Sequence, residues 1–388
     1  MNRAWETVNL GDICRITSSK RIFAKEYRTS GVPFYRGKEI IEKHNGRKVS
    51  NELYISKERY EEIRNKFDVP KKGDILLSSV GTLGVAWLVD EDEFYFKDGN
   101  LTWLRCNEKM IPGFLYLWLN SLSARNQINA MCIGSTQKAL TIETLKNFLV
   151  ELPPIETQKR ICRIIDPISN KIKTNNQINK NLSEQLQALY TSEFDVTVHH
   201  ATAKLSDICH YSVERVNVDE LSTKTYYSTE NMQPNKVSSV EATNLPSIKQ
   251  TTRCHKGDVL VSNIRPYFKK IEYVTTECGC STDVLCFVPA SKDLSAFLYE
   301  TLYADRFFDY MVAGSKGTKM PRGDKQQIMQ YEVVMPSSEQ LLAFNAAATP
   351  MLALITNGML ENERLSMLRD SLLPRLMSGE LDVSDIDF

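Results

Sequence analysis

No Gly-x-x-x-x-Gly-Lys-Ser/Thr loop occurs in the 388 residues, nor a Gly-rich adenosylmethionine loop, nor an Asn/Asp-Pro-Pro-Tyr/Phe tetrapeptide. Their absence removes the backbone cradles by which nucleotide hydrolases and amino-methyltransferases hold their ligands. Histidine is scarce, and the five present (His44, His199, His200, His210, His255) show no triad or metal spacing. The nine cysteines contain no Cys-x-x-Cys. The closest pair, Cys278-Gly279-Cys280, has no second pair or nearby histidine to complete a zinc site, so they read as reduced thiols filling cores. Charge excess is also missing: 48 Lys and Arg stand against 48 Asp and Glu, which argues against a surface that is basic all over. No stretch approaches the ~20 apolar residues of a membrane-spanning helix, and Met1-Asn2-Arg3-Ala4-Trp5-Glu6 lacks the form of a signal peptide. The expected compartment is the cytoplasm.

What the chain does have is itself, twice. Pro154-Ile155-Glu156-Thr157-Gln158 returns as Pro336-Ser337-Ser338-Glu339-Gln340, an offset of 182 residues. Upstream, Leu10-x-Asp12-Ile13-Cys14 matches Leu205-x-Asp207-Ile208-Cys209, and Lys72-Gly73-Asp74-Ile75-Leu76 matches Lys256-Gly257-Asp258-Val259-Leu260. Phe114-Leu115-Tyr116 answers Phe297-Leu298-Tyr299, and Gly134-Ser135 answers Gly314-Ser315. The order is kept while the intervals drift, as when loops change length between shared framework elements. A repeat of this length is a duplicated domain, and the chain is long enough for two or three.

Each repeated Pro-x-x-x-Gln opens a long helical pattern. Ile161, Ile165, Ile168, Ile172, Asn175, Asn179, Leu182, Leu186 and Leu189 fall at alternating steps of four and three, the a/d spacing of a coiled coil. The second stripe is Phe344, Ala348, Met351, Ile355, Gly358, Asn362, Leu365, Arg369 and Leu372, with Arg369 expected at the rim. Matched heptads from one chain most simply pair with each other, antiparallel, with the polar middle setting register. The flanking segments mix strand-like runs such as Gly73 to Val80 with helical ones such as Phe114 to Asn126 and read as α+β modules.

These residues together resemble a known family. Lys72-Gly73-Asp74-Ile75-Leu76-Leu77-Ser78-Ser79-x-Gly81-Thr82-x-Gly84, Gly134-Ser135-Thr136-Gln137-Lys138-Ala139-Leu140 and Leu152-Pro153-Pro154-x-x-x-Gln158-Lys159-Arg160-Ile161 closely resemble a target recognition domain and the conserved helix after it in the specificity subunit of type I restriction-modification enzymes. Gly257-Asp258-Val259-Leu260, Gly317-Thr318-Lys319-Met320-Pro321-Arg322-x-Asp324 and Pro336-x-x-x-Gln340 resemble a variant of the same domain. The second half departs from the first in Met335-Pro336 for Pro153-Pro154 and in lacking the Lys159-Arg160 pair.

The resemblance implies an α+β fold of two globular target recognition domains joined by two long helices in an antiparallel coiled coil, with a pseudo-two-fold internal repeat. The corresponding segments are 1–155, 156–195, 196–337, 338–379 and an acidic tail at 380–388. It implies a non-catalytic reader of double-stranded DNA that docks two adenine methyltransferase subunits and can be joined by restriction subunits. Each domain would read one half of a bipartite target, with the helices setting the unread gap. No cofactor is expected on this chain, and S-adenosylmethionine is expected on the partner methyltransferase. No metal site is expected.

A reader needs phosphate contacts for affinity and forked or amide side chains for base edges. In the first half the candidates are Arg36, Lys38, Ser78, Ser79, Thr82, Ser135, Thr136, Gln137 and Lys138. In the second they are Ser262, Asn263, Arg265, Tyr267, Lys269, Lys316, Thr318, Lys319 and Arg322. Lys249 to Lys270 forms a basic stretch, whereas Glu380, Asp382, Asp385 and Asp387 make the tail acidic. Two rival readings stand beside this one. A nuclease centre could be sought in Glu58, Glu61, Glu62 and Lys66, although helical spacing on a charged face is usual for a solvated surface. A stand-alone sequence-specific DNA-binding protein without a methyltransferase partner is the other.

Overall fold

In the computed structural model, which describes residues 5–46, 49, 53–90, 93–131, 139–384 and 386, the two Lys-Gly-Asp words make the same turn. Gly73 and Gly257 have φ of 93° and 97°, a region that penalises any side chain. The following aspartate closes each turn: Asp74 accepts from the Lys71 amide at 2.9 Å and Asp258 from that of His255 at 2.7 Å. Each turn then launches a hairpin, with Val89 N donating to Asp74 O at 2.8 Å and Val274 N to Asp258 O at 2.9 Å. Burial pushes both carboxyls up, and the backbone amides they accept from oppose it.

The chain divides into two compact units, Met1–Thr174 with Asn362–Phe388, and Asn175–Glu361. In unit 1 the strand Ile75–Ser78 lies between Leu101–Cys106 and Ala86–Leu88, and Cys14–Thr17 pairs with the far edge of Leu101–Cys106. Ile75–Ser78 is buried throughout, which explains its unbroken apolar run. A mixed three-stranded sheet, Leu53–Ile55, Val32–Tyr35 and Tyr95–Phe96, stands beside it, and Glu6–Asn9 pairs with Leu149–Leu152. Helix Pro112–Leu119 brings Phe114, Leu115 and Trp118 into the core.

Unit 2 repeats the four-stranded order with Cys209–Tyr211, Val284–Pro289, Val259–Ser262 and Ile271–Tyr273. Its second sheet has four strands, Arg215–Asn217, Gln250–Cys254, Cys278–Cys280 and Tyr226–Tyr227, the last pair parallel. The architecture is α+β with an internal repeat, as expected. All eight described cysteines are free thiols.

The two long helices are Ile155–Phe194 and Ser338–Met377. Each gives one part of its length to each unit. In unit 1, Ile161 and Ile165 share a core with Leu373, Leu376 and Met377, so the start of one helix packs on the end of the other. In unit 2, Leu186, Tyr190 and Phe194 share a core with Phe344, Ala348 and Leu352, again antiparallel. The ring of Phe194 lies 5.1 Å from Phe297 and 5.7 Å from Phe344, edge to face, tying this pair to the helix Ser295–Tyr303. None of the eighteen stripe residues is exposed. The polar slots have defined partners: Asn175 donates to Glu361 at 2.7 Å and Asn179 to Ile355 O at 3.3 Å. A Cβ on Gly358 would sit 2.6 Å from the Asn179 amide oxygen, so the glycine permits the close approach. Arg369 is half-buried and paired with Asp370.

One expectation is corrected. By length and composition alone, Ser338–Met377 has a stretch apolar enough to cross a membrane, of which 17% is buried. Part of its apolar character comes from exposed residues outside the seam, Leu342 and Leu354.

Candidate nucleic-acid interface

In both units the strand that follows Lys-Gly-Asp ends in a polar pair, and the chain then leaves the sheet. In unit 1 the Ser78 hydroxyl donates to Thr82 O at 2.5 Å and accepts from Val85 N at 2.9 Å, while Gly84 N donates to Ser78 O. Gly81 and Gly84, at φ of 78° and 76°, make the tight return. Ser79 bonds to the Thr102 hydroxyl at 2.5 Å, and its carbonyl accepts from Leu140 N at 2.9 Å. Ser78 and Ser79 are therefore buried supports of the turn and are not solvent-facing donors. Val80, Gly81 and Thr82 are exposed at its tip.

Arg36 caps the helix Gly37–His44 and pairs with the buried Glu39 at 2.7 Å. The hydrogen bond to Glu39 raises the guanidinium pKa. For Glu39, burial works upward, but the Arg36 side chain and the Arg36 amide outweigh it and hold the carboxyl below its usual range. Lys38 is exposed and 3.9 Å from Glu42. Ser135, Thr136, Gln137 and Lys138 lie outside the described residues.

In unit 2 the corresponding pair, Ser262 and Asn263, is also buried. Ser262 donates to Ile264 O at 3.2 Å, and Asn263 O accepts from Gly323 N at 3.2 Å. The bridges Val80–Ala139 and Ile264–Arg322 repeat the same meeting of two loops in the two units. Around it the structure gathers the remaining candidates. Arg265 N donates to Pro321 O at 2.8 Å and the Arg265 guanidinium to Lys319 O at 3.4 Å. Lys316 and Arg322 exchange backbone bonds at 2.9 and 3.0 Å, closing a loop whose tip, Gly317 to Met320, is exposed. Arg322 pairs with Asp283 at 3.2 Å and Lys316 with Asp324 at 2.6 Å.

A third loop was not singled out from sequence. Asn235 N donates to Phe268 O at 2.7 Å and Lys236 N to Lys269 O at 2.8 Å. Lys236 and Lys269 share Asp305, each at 2.8 Å. Burial acts against the Asp305 charge, but these two ammonium groups outweigh it and hold the carboxyl below its usual range. Among the described residues, non-glycine positions at positive φ are Asp68, Asn235, Lys236, Arg265 and Lys269, so four of the five fall in this cluster. Each costs about 1–2 kcal/mol relative to an ordinary conformation. Strain so concentrated is a mark of functional loops.

Glu58, Glu61, Glu62 and Lys66 belong to the helix Lys57–Phe67, where Arg64–Glu61 (3.3 Å), Arg59–Glu62 (2.7 Å) and Lys66–Glu62 (3.1 Å) form pairs along an exposed face. Among the described residues no His, Cys, Asp or Glu group has a metal-holding arrangement. The tail turns back on unit 1: Val383 is buried in its core, and Arg160 donates to Val383 O at 3.1 Å and also to Ser384 O.

Known proteins share this arrangement. Residues 2–184 match the family described as the type I restriction modification DNA specificity domain. The first half of the chain thus resembles that domain. The HindI type I restriction enzyme specificity subunit of Haemophilus influenzae is 22% identical over 97% of this chain and 99% of its own. A second protein of that organism, named as specificity subunit S.HindORF215P, is 31% identical over 42% of this chain and 39% of its own length. The chain thus spans about two fifths of that relative. The S subunit of the type I restriction-modification system from M. genitalium has the same fold, with a TM-score of 0.60 at 15% identity over 97% of both chains.

Proposed function

We propose that this chain is a type I specificity subunit that reads a bipartite double-stranded DNA target, one half through each unit, without catalysing a reaction itself. The observation that carries the reading is the loop-on-loop junction made twice, Ser79 with Leu140 and Asn263 with Gly323, on matching sheets but with different exposed side chains. A duplicated scaffold bearing unlike readers suits a target with two unlike halves. In unit 2 the readers are Arg265, Tyr267, Lys269, Lys316, Thr318, Lys319 and Arg322. In unit 1 they are Thr82, Lys38 and Arg36, together with the Ser135 to Lys138 segment.

Two adenine methyltransferase subunits are the proposed partners, each carrying S-adenosylmethionine, with restriction subunits able to join. The exposed leucines of Ser338–Met377 support such docking, since a large apolar surface on a helix is costly in water. The long helices are the proposed spacer.

The test is co-expression with a methyltransferase subunit followed by single-molecule sequencing of methylated adenines in the host DNA. A bipartite motif with two defined halves and a fixed gap supports the reading. Deleting one heptad from each helix should then change the gap and leave both halves intact. Tight specific binding by the chain alone, with no methylation from an assembled complex, would favour a stand-alone binder.

A further inference from the structure

The four strained residues of unit 2 surround one short segment, and that segment carries two exposed aromatic rings. Tyr267 is 48% and Phe268 37% exposed, their ring centroids 4.7 Å apart. Aromatic rings normally find burial in a fold, yet here the backbone holds them out. Arg265 and Lys269, at φ of 50° and 51°, reverse the chain on either side of the short helix Pro266–Phe268. Phe268 N donates to Arg265 O and Lys269 N to Pro266 O, both at 2.9 Å, while the Asn235 and Lys236 amides donate to Phe268 O and Lys269 O. Cations border the pair: Lys270 Nζ lies 5.8 Å from the Phe268 centroid, and Arg265 reaches the loop of Lys319. The equivalent turn of unit 1, Val80-Gly81-Thr82-Leu83-Gly84, has no aromatic residue.

We propose that Tyr267 and Phe268 form a stacking wedge that enters a base step in the DNA half-site read by unit 2. Rings of this kind stack on the faces of bases, and side-chain wedges open the more flexible steps at least cost. The wedge would thus read deformability, a preference separate from hydrogen bonds to base edges, and unit 1 would lack it. This inference rests on the DNA-reading function proposed above.

The test uses the full chain assembled with its methyltransferase partner on a duplex carrying the motif found by methylation sequencing, with 2-aminopurine placed in turn at each step of both halves. The wild type should raise fluorescence at one step of one half only. Tyr267→Ala/Phe268→Ala should abolish that rise and weaken binding about tenfold or more. The slope of affinity against salt should stay unchanged, because no cation is removed. Tyr267→Phe and Phe268→Tyr should keep the rise, whereas a loss through misfolding would also change the circular dichroism. Wild-type affinity and fluorescence in the double alanine variant, with the motif intact, would overturn the wedge alone. Absence of any bipartite motif from the wild-type complex would overturn the DNA-reading function and the wedge with it.

Discussion

Gln158 is the glutamine of the first Pro-x-x-x-Gln, and its side chain is fully buried with every principal bond made. Its oxygen accepts from Ile111 N at 2.9 Å, and its amide donates to Lys109 O and Pro153 O, each at 2.9 Å. Gln158→Leu keeps the volume and removes all three partners' bonds. A buried group left without a partner costs about 1–3 kcal/mol, and less where water can reach it. Pro153 is buried, whereas Ile111 and Lys109 are at least partly open to water. The sum, less the gain from burying a leucine, comes to about 3 kcal/mol. All four tryptophans, Trp5, Trp87, Trp103 and Trp118, lie in unit 1, so tryptophan fluorescence during urea unfolding reports that unit alone. With a slope of about 2–3 kcal/mol/M for a unit of this size, the midpoint should fall by roughly 1 M. Gln340, its counterpart, is exposed and only exchanges bonds with Ser337, so Gln340→Leu should leave the tryptophan transition in place. A Gln158→Leu midpoint within about 0.2 M of wild type would refute the claim that this glutamine clamps the helix start to the loop before Pro112.

Gly358→Ala should be destabilising in the wild type because its Cβ meets Asn179, and stabilising by about 1 kcal/mol in an Asn179→Ala background, where helix propensity alone remains. A double-mutant cycle of denaturation midpoints checks this, and additivity would sink it. Burial pushes the Glu300 carboxyl up to about 8, with Lys236 opposing. The folded state therefore keeps a proton that the unfolded chain releases near its ordinary value. This contribution is whole below about 4.5 and is lost as pH rises through about 8. Glu300→Gln should flatten the fall of unit 2 stability over that range, followed by far-ultraviolet circular dichroism in urea, and an unchanged profile would refute it. Lys319→Ala should lower the slope of log affinity for target DNA against log salt by about 0.9 if it meets a phosphate. A variant with the wild-type slope would remove Lys319 from the phosphate contacts.

What sequence shows and what it hides divide along a physical line. Lys-Gly-Asp repeats because a turn at φ above 90° needs glycine and a closing carboxylate in both units, so the same need leaves the same word. The helix stripes are legible for a similar reason, since burial on one side of a helix imposes its period on residue type. Polar residues after a strand carry no such mark. Ser78, Ser79, Ser262 and Asn263 look like exposed readers, yet their side chains and carbonyls hold the turns together from inside. Gln158 and Gln340 share a motif and differ in role: Gln158 bonds the loop before Pro112, whereas in unit 2 the loop before Ser295 is held by Asn345, which donates to Asp293 O at 2.7 Å. Hidden most completely is the loop cluster of unit 2. Positive φ at Asn235, Lys236, Arg265 and Lys269 is imposed by hydrogen bonds between loops distant in sequence, and none of the four is a glycine that would announce it. At Lys236, Arg265 and Lys269 local residue preference argues against those conformations, so tertiary structure must hold them. A duplicated scaffold keeps its words because both copies must fold. On the function proposed above, its loops diverge because each copy would answer to a different stretch of DNA, and such divergence erases the repeat at the positions that would set specificity.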